Sequence, residues 1–302
     1  LFGLLMNNEE KDRLDRLNKL RSAGIDPYPS KGNRTLMIKD FLEEFDDLKK
    51  QTTLTGRIRL LRKHGGLTFL QLQDGSGVVQ LVLKKDQVGE GNYQQFHEYM
   101  DVGDFLEASG NTFVTKKGEQ SLLIETFRIL TKTVLPLPEK WHGISDIEMR
   151  FRKRYLDLIM NEDVRKRMVV RSKITTAIRD LLDSKGFLEV ETPTLQPVYG
   201  GGYARPFVTH HNALNADFFL RISDEMYLKR LLVGGFEKVY EITKVFRNEG
   251  IDRDHNPEFT MFEAQIAYEN FEYGMNLFEE IFENAAIKAT GATQVQHEDI
   301  LI

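Results

Sequence analysis

Arg247, Glu249, Arg253, His255 and Phe259 lie within thirteen residues of one another. Guanidinium groups offer paired, permanently charged donors that match phosphate oxygens. An aromatic ring offers a face for a nucleotide base or a cation. Together these side chains suit a clamp on a nucleotide. Apolar residues run up to Val245-Phe246 and resume at Phe259, which reads as strand, short charged loop, strand. Arg247 and Glu249 are two residues apart, so as strand residues they share a face. An ordinary charged hairpin has a similar composition. The difference here is the density of ligand-type side chains beside an apolar strand.

Holding such a loop needs a sheet and helices to back it, and the flanking sequence supplies both. Residues 239–247 and 259–268 read as long strands, antiparallel because the loop between them is short. Helices are expected at 146–159, 163–185, 224–233 and 271–289, with a short strand at 218–221. Gly186 ends the long helix, and a glycine run, Gly200-Gly201-Gly202, precedes the short strand. This half is α+β. His210 and His211 have no third ligand at zinc-like spacing, and structural hydrogen bonds are expected of them.

The first half has a different rhythm. Residues 8–23 read as a helix with Leu14, Leu17 and Leu20 on one stripe and Gly24 as its stop. A second short helix is expected at 38–48. Strands follow at 54–60, 68–73 and 78–83, then a helix at 93–100 and a hairpin of 105–114 with 120–130. Three strands, a helix and two strands fit a closed barrel of the OB type, a fold that binds single-stranded nucleic acid. Val134-Leu135-Pro136-Leu137-Pro138 opens a linker. The division expected is a helical segment at 7–50, a barrel at 51–133, a linker at 134–149 and a second domain at 150–302.

Composition sets outer limits. With 302 residues, 41% hydrophobic and 29% charged, the chain suits a two-domain globular protein. No apolar run reaches the ~20 residues of a membrane span. It contains no cysteine, which excludes disulfides, thiolate zinc sites and a thiol nucleophile, and suits a cytoplasmic location. Met6 is the natural start, since a polar helix entry follows it. A net charge of −5 argues against a nucleic-acid binder acting through its whole surface. Basic groups nonetheless gather at Arg57, Arg59, Arg62 and Lys63, at Lys84-Lys85, at Lys116-Lys117, and at Arg150, Arg152, Lys153 and Arg154.

Several of these segments resemble class II aminoacyl-tRNA synthetases, and within them the lysine branch of subclass IIb. Phe246-Arg247-Asn248-Glu249 and His255-Asn256-Pro257-Glu258-Phe259-Thr260 resemble the family's motif 2. The run from Lys185-Gly186-Phe187 to Thr192-Pro193-Thr194-Leu195 resembles motif 1, which builds the family's dimer interface. Arg152-Lys153-Arg154-Tyr155-Leu156-Asp157-Leu158, Ala204-Arg205-Pro206-Phe207, Thr209-His210-His211-Asn212 and Glu225-Met226-Tyr227-Leu228-Lys229-Arg230 match the lysine branch. The resemblance runs from Glu10 to Ala289. It implies an OB-fold barrel followed by an antiparallel class II sheet with flanking helices, a homodimer, and activation of L-lysine with ATP and Mg2+ for transfer to tRNA(Lys).

The resemblance also implies roles. Arg247 bridges the ATP α-phosphate and the amino-acid carboxylate; Glu249 faces adenine or orients the loop; His255 and Asn256 hold phosphates; Phe259 stacks on adenine. Gly201, Glu225, Glu263 and Gln265 line the lysine site, with Glu225 toward the ammonium. In the barrel, Arg57, Arg62, Phe69, Gln80 and Glu119 read a uridine-rich anticodon. The family's motif 3, its magnesium-holding acidic residues and the glutamate that reads the lysine side-chain amine have no counterpart before Ile302. The sequence therefore reads as an N-terminal fragment, unable to complete lysine activation by itself. Gln265 stands where many members carry tyrosine. The rivals are an aspartate or asparagine enzyme of the same subgroup and a non-catalytic RNA-binding barrel protein.

Overall fold

The computed structural model describes residues 7–138, 144, 146–250, 252, 254–297 and 299–301. Arg253, expected in the charged loop, and Met6 lie outside the described residues. The chain divides into two compact units, residues 1–160 and 161–302.

In the first unit, helix α1 (Asn8–Ser22) opens on a capping box between Asn7 and Glu10. Its buried stripe is Arg13, Leu17 and Leu20, and Leu14 is left exposed. Arg13 displaces Leu14 because its guanidinium reaches the carbonyl of Val102 at 3.1 Å. Helix α2 (Ile38–Glu43) stops short of the expected residue 48, the chain turning after Glu44 through a bond from Asp47 N to Glu44 O. Strands β1 (Thr52–His64), β2 (Leu67–Gln73) and β3 (Val78–Lys84) form a meander. Helices α3 (Lys85–Val88) and α4 (Glu90–Tyr99) lead to the hairpin of β4 (Phe105–Val114) and β5 (Gln120–Thr131). The barrel closes in the order β1-β2-β3-β5-β4, the OB arrangement expected.

Alternation along these strands fills the interior with Leu54, Ile58, Leu70, Leu72, Leu81, Leu83, Leu106, Leu122 and Ile124, all buried. Closure comes from the β3–β5 pair, which is parallel and short: Gln80 faces Ser121, Leu81 faces Leu122, Val82 faces Leu123. A bulge between Ser109 and Gly110 bends β4, and a Cβ at Gly110 would collide with the carbonyl oxygen of Leu123. Lys132 is fully buried beside β4. Its ammonium donates to Tyr99 O at 2.7 Å, Asp101 at 2.5 Å and Asp104 at 2.7 Å. The helix expected over 146–159 is instead two, α5 (Ile147–Arg152) and α6 (Arg154–Met160). The fully buried Asp157 braces the corner between them, accepting from Arg150 at 3.0 Å and Arg154 at 2.8 Å.

The second unit is built on the long helix α7 (Glu162–Ser184), stopped by Gly186 at φ +78°. Two-residue strands β6 (Leu188–Glu189) and β7 (Leu195–Gln196) follow, then β8 (Val208–His211), β9 (Ala216–Leu220) and helix α8 (Glu225–Val233). Strands β10 (Lys238–Phe246) and β11 (Glu258–Ile266) carry the charged loop between them. Helix α9 (Phe271–Thr290) and a terminal hairpin of β12 (Gln296–His297) and β13 (Ile300–Leu301) complete it. The main sheet has the order β11-β10-β6, and a smaller one the order β7-β9-β8. One face of the main sheet packs Tyr240, Ile242, Phe262, Ala264 and Ile266 against Leu182, Leu277 and Ile281 of α7 and α9. The opposite face is free to build a site.

Candidate active site and barrel cavity

Period-two alternation puts Val239, Glu241, Thr243 and Val245 on that opposite face, with Phe259, Met261, Glu263 and Gln265 across from them. The register pairs Val245 with Phe259, Glu241 with Glu263 and Val239 with Gln265. Arg247 extends the ladder by one bond, N to Pro257 O at 2.9 Å, and its guanidinium lies 5.2 Å from the centroid of the Phe259 ring. Its Nε is buried without a hydrogen-bond partner among the described residues. The shared face expected of Arg247 and Glu249 is not found. Strand β10 stops at Phe246, and Asn248 N is taken by Arg205 O at 2.7 Å, which turns the chain and leaves Glu249 exposed.

In the loop, Asp252 gathers the amides of Asp254 and His255 and the His255 ring, each at 2.8 Å. The hydrogen bond from Asp252 and its charge raise the imidazole above its ordinary range, so the exposed ring favours the cationic form. Asn256 is exposed beside it.

A second group converges where β9 turns into α8. Buried Arg221 is the hub. It donates to Glu241 at 2.8 Å, to Thr192 O at 3.0 Å and to Lys244 O at 2.8 Å, and it also bonds Thr243. Thr192 in turn donates to Glu241 at 2.6 Å. These bonds fix the strand end from which Ser223, Asp224 and Glu225 project. Ser223 Oγ donates to Glu263 at 2.7 Å and accepts from Glu225 N at 3.1 Å. Gly201, at φ +85°, presses against both: a Cβ there would lie 2.6 Å from Ser223 Oγ and 3.2 Å from Glu225 Cβ. Gly201, Glu225 and Glu263 are therefore brought together, with Gln265 two residues further along β11. The Glu225 carboxylate bonds Lys229 on its own helix. Burial and then the charge of Glu225 raise Glu263 above the usual carboxylate range, opposed by Ser223 and Arg247. An acidic floor with an arginine on the same sheet face offers one partner to each charge of a zwitterion.

In the first unit, Arg62, Phe69, Gln80 and Glu119 line one cavity of about 640 Å³, together with His64, Lys84, Phe113, Lys116 and Lys117. Phe69 is half-buried with His64 edge-on at 6.3 Å, and Lys84 lies 4.2 Å over the ring of Phe113. Gln80 donates to Ser121 Oγ at 2.9 Å. Half-buried rings beside lysines and amides are what single-stranded nucleic acid requires. Arg57 does not line this cavity. Its guanidinium sits 4.2 Å over Phe105 and donates to Gly103 O at 2.9 Å, and burial holds it below the usual arginine range.

His210 bonds Asp217 at 2.9 Å, and His211 Nδ1 accepts from Leu214 N at 3.3 Å, the structural roles expected. Arg221, Ser223, Asp224 and Glu241 escaped the sequence reading. A signal existed: a charged residue inside an apolar run, as in Phe218-Phe219-Leu220-Arg221-Ile222 and Val239-Tyr240-Glu241-Ile242, must be paired if the run is buried. Among the described residues no group of three or more acidic, histidine or cysteine side chains is arranged to hold a metal ion.

Comparison with known proteins agrees with this geometry. Residues 52–130 match the OB-fold nucleic acid binding domain, and residues 146–300 match the tRNA synthetases class II (D, K and N). A lysine–tRNA ligase of Carboxydothermus hydrogenoformans is 47% identical over 294 residues, covering 97% of this chain and 60% of the relative. One from Roseiflexus sp. is 49% identical over 96% of this chain and 60% of the relative. One from Methanoculleus marisnigri is 46% identical over 93% and 56%. The chain thus spans about 60% of the length of the curated relatives it matches. With an OB barrel preceding an antiparallel sheet that carries Arg247 over Phe259, the chain belongs to the class II tRNA synthetases of the aspartate, lysine and asparagine group.

Proposed function

We propose that this chain provides the anticodon-reading barrel and one wall of the catalytic site of a lysine–tRNA ligase, which joins L-lysine to tRNA(Lys) through lysyl-adenylate. The barrel is assigned to residues 51–133, a helical segment to 7–50, a linker to 134–149 and the catalytic part to 150–302. The observation that carries the reading is the convergence of Gly201, Glu225 and Glu263 into an acidic pocket on the sheet face that bears Arg247. The names of the relatives support the same substrate.

In this reading Glu225 and Glu263 receive the ammonium of the amino acid, and Gln265 lies toward its side chain. Arg247 bridges the amino-acid carboxylate and the α-phosphate. As the carboxylate oxygen attacks phosphorus and pyrophosphate leaves, Arg247 stabilises the added negative charge. The attacking carboxylate is ionised near neutral pH, so no general base is required and positioning supplies much of the acceleration. Phe259 stacks on adenine, Glu249 orients the loop beside it, and His255 and Asn256 hold phosphates. Mg2+ would neutralise the phosphates, but no donor set for it is found among the described residues. In the barrel, Phe69 stacks a base, Gln80 and Glu119 meet base edges, and Arg62 contacts backbone or base, whereas Arg57 is held by Phe105 and Gly103 outside the cavity. The segment around α7 and Leu195 forms the homodimer contact. A cytoplasmic location goes with the tRNA-ligase reading; separately, no described helix is long and apolar enough to cross a membrane.

Calorimetric titration of the chain with L-lysine, L-asparagine and L-aspartate tests the assignment. Lysine is expected to bind most tightly, since the pocket is acidic. Tighter binding of aspartate or asparagine would overturn it.

A further inference from the structure

Asp224 occupies the N-cap position of α8, where an aspartate normally accepts from the first turn of its helix. It makes no such bond. Its side chain is instead fully buried, and neither carboxylate oxygen has a hydrogen-bond partner among the described residues. The groups facing it are known. Glu263 of β11 and Glu241 of β10 add negative charge, and Arg221 adds positive charge. Glu225 and Arg247 act on it through Glu263. Arg221 is already committed to Glu241 and to Thr192. Ser223, the nearest donor in sequence, is committed to Glu263. A buried carboxylate with no donor is costly, so something else must neutralise it.

We propose that Asp224 is a further binding residue of the amino-acid pocket, holding a proton against Glu263 while the pocket is empty and releasing it to solvent when an ammonium group enters between Glu225 and Glu263. Entry of the cation then adds the Asp224 charge to the acidic floor that receives it. Burial, then Glu263 and Glu241, push the Asp224 carboxyl up to about 7, which agrees with a proton held at neutral pH in the empty pocket. The inference rests on the lysine-pocket reading above.

The sign follows from linkage. A cation favours the ionised carboxyl, so affinity rises with pH through about 7. If only the ionised form binds, lysine affinity at pH 8 exceeds that at pH 6 by roughly tenfold. Calorimetric titration of L-lysine into the chain at pH 6, in buffers of different ionisation enthalpy, reads the proton count directly on the unaltered protein. Close to one proton released per lysine is expected at pH 6, and close to none at pH 8. Asp224→Asn, which keeps a neutral group of the same shape, is expected to bind lysine with no proton release and a flat affinity from pH 6 to 8. Lysine binding without proton release in the unaltered chain overturns the proposal and leaves the lysine pocket standing. A chain that binds no lysine at either pH overturns both. Proton release that persists unchanged in Asp224→Asn assigns it to another group and also overturns the proposal.

Discussion

Gly201→Ala is the sharpest probe of how the pocket is assembled. The backbone at Gly201 has φ +85°, a conformation that costs a residue with a Cβ about 1–2 kcal/mol. The added methyl would also sit 2.6 Å from Ser223 Oγ and 2.9 Å from Ser223 Cβ, too close for either to stay. Ser223 Oγ holds Glu263 at 2.7 Å and Glu225 N at 3.1 Å. Pushing it aside forfeits a bond to a charged group, about 1.5–3 kcal/mol, and a neutral bond of about 1 kcal/mol. The strain should appear as a lower urea midpoint. The lost bonds should appear as lysine binding weakened at least tenfold, since about 1.4 kcal/mol is enough for that. ATP affinity should change little. Ser223→Gly removes both bonds and makes room for the methyl. The double variant should therefore lose much less than the sum of the two single losses, a non-additivity expected of groups in contact. The mechanism is refuted if Gly201→Ala binds lysine as the parent does, or if the two losses simply add.

Three further outcomes are expected. Lys132→Met strands Asp104, whose carboxyl burial already raises above its ordinary range, so the barrel should lose about 3–5 kcal/mol near neutral pH. A raised carboxyl binds its proton more tightly folded than unfolded, so this loss should shrink as pH falls, and Asp104→Asn should recover most of it; urea melts at pH 5 and 7.5 check both. Phe69→Ala should weaken binding of a short oligouridine by roughly 1–3 kcal/mol per stacked base, while the melting of the half-buried barrel site changes little. His255 titrates above its ordinary value because of Asp252, so ATP should bind more weakly as pH rises from 6 to 8, and His255→Asn should flatten that profile.

The barrel was the most legible part of the sequence, because alternation has only one meaning when one face is buried. Leu70 and Leu72 point inward while Phe69 and Gln71 do not, and the strand ends fall within a few residues of those expected. Strands β7 and β8 were missed because most of their residues are exposed, which removes the burial period that would mark them. Helices α5 and α6 were read as one because the corner at Lys153 depends on Asp157 drawing in arginines from both sides, a contact that local propensity does not contain. In the site, Arg247, Phe259, Glu225 and Glu263 were legible from motif and resemblance. The network of Arg221, Glu241 and Thr192 that holds them was not, since its members lie up to 49 residues apart and meet only through packing.

The parallel seam between β3 and β5 gives Gln80 a double role with a consequence in time. Antiparallel hairpins such as β2–β3 and β4–β5 can form locally, whereas joining β3 to β5 must first close the intervening chain of α3, α4 and β4. The seam is only three residue pairs long, and its first pair, Gln80 with Ser121, is also linked by side chains. The hairpins should therefore zip early, and the two long-range pairings, β1 with β4 and the short β3–β5 seam, should latch late, so the cavity that contains Gln80 is completed late in folding. A substitution at Gln80 would then chiefly hasten unfolding. Its effect on refolding would be small, and its effect on base recognition can be judged only after the opening rate of the seam has been measured separately.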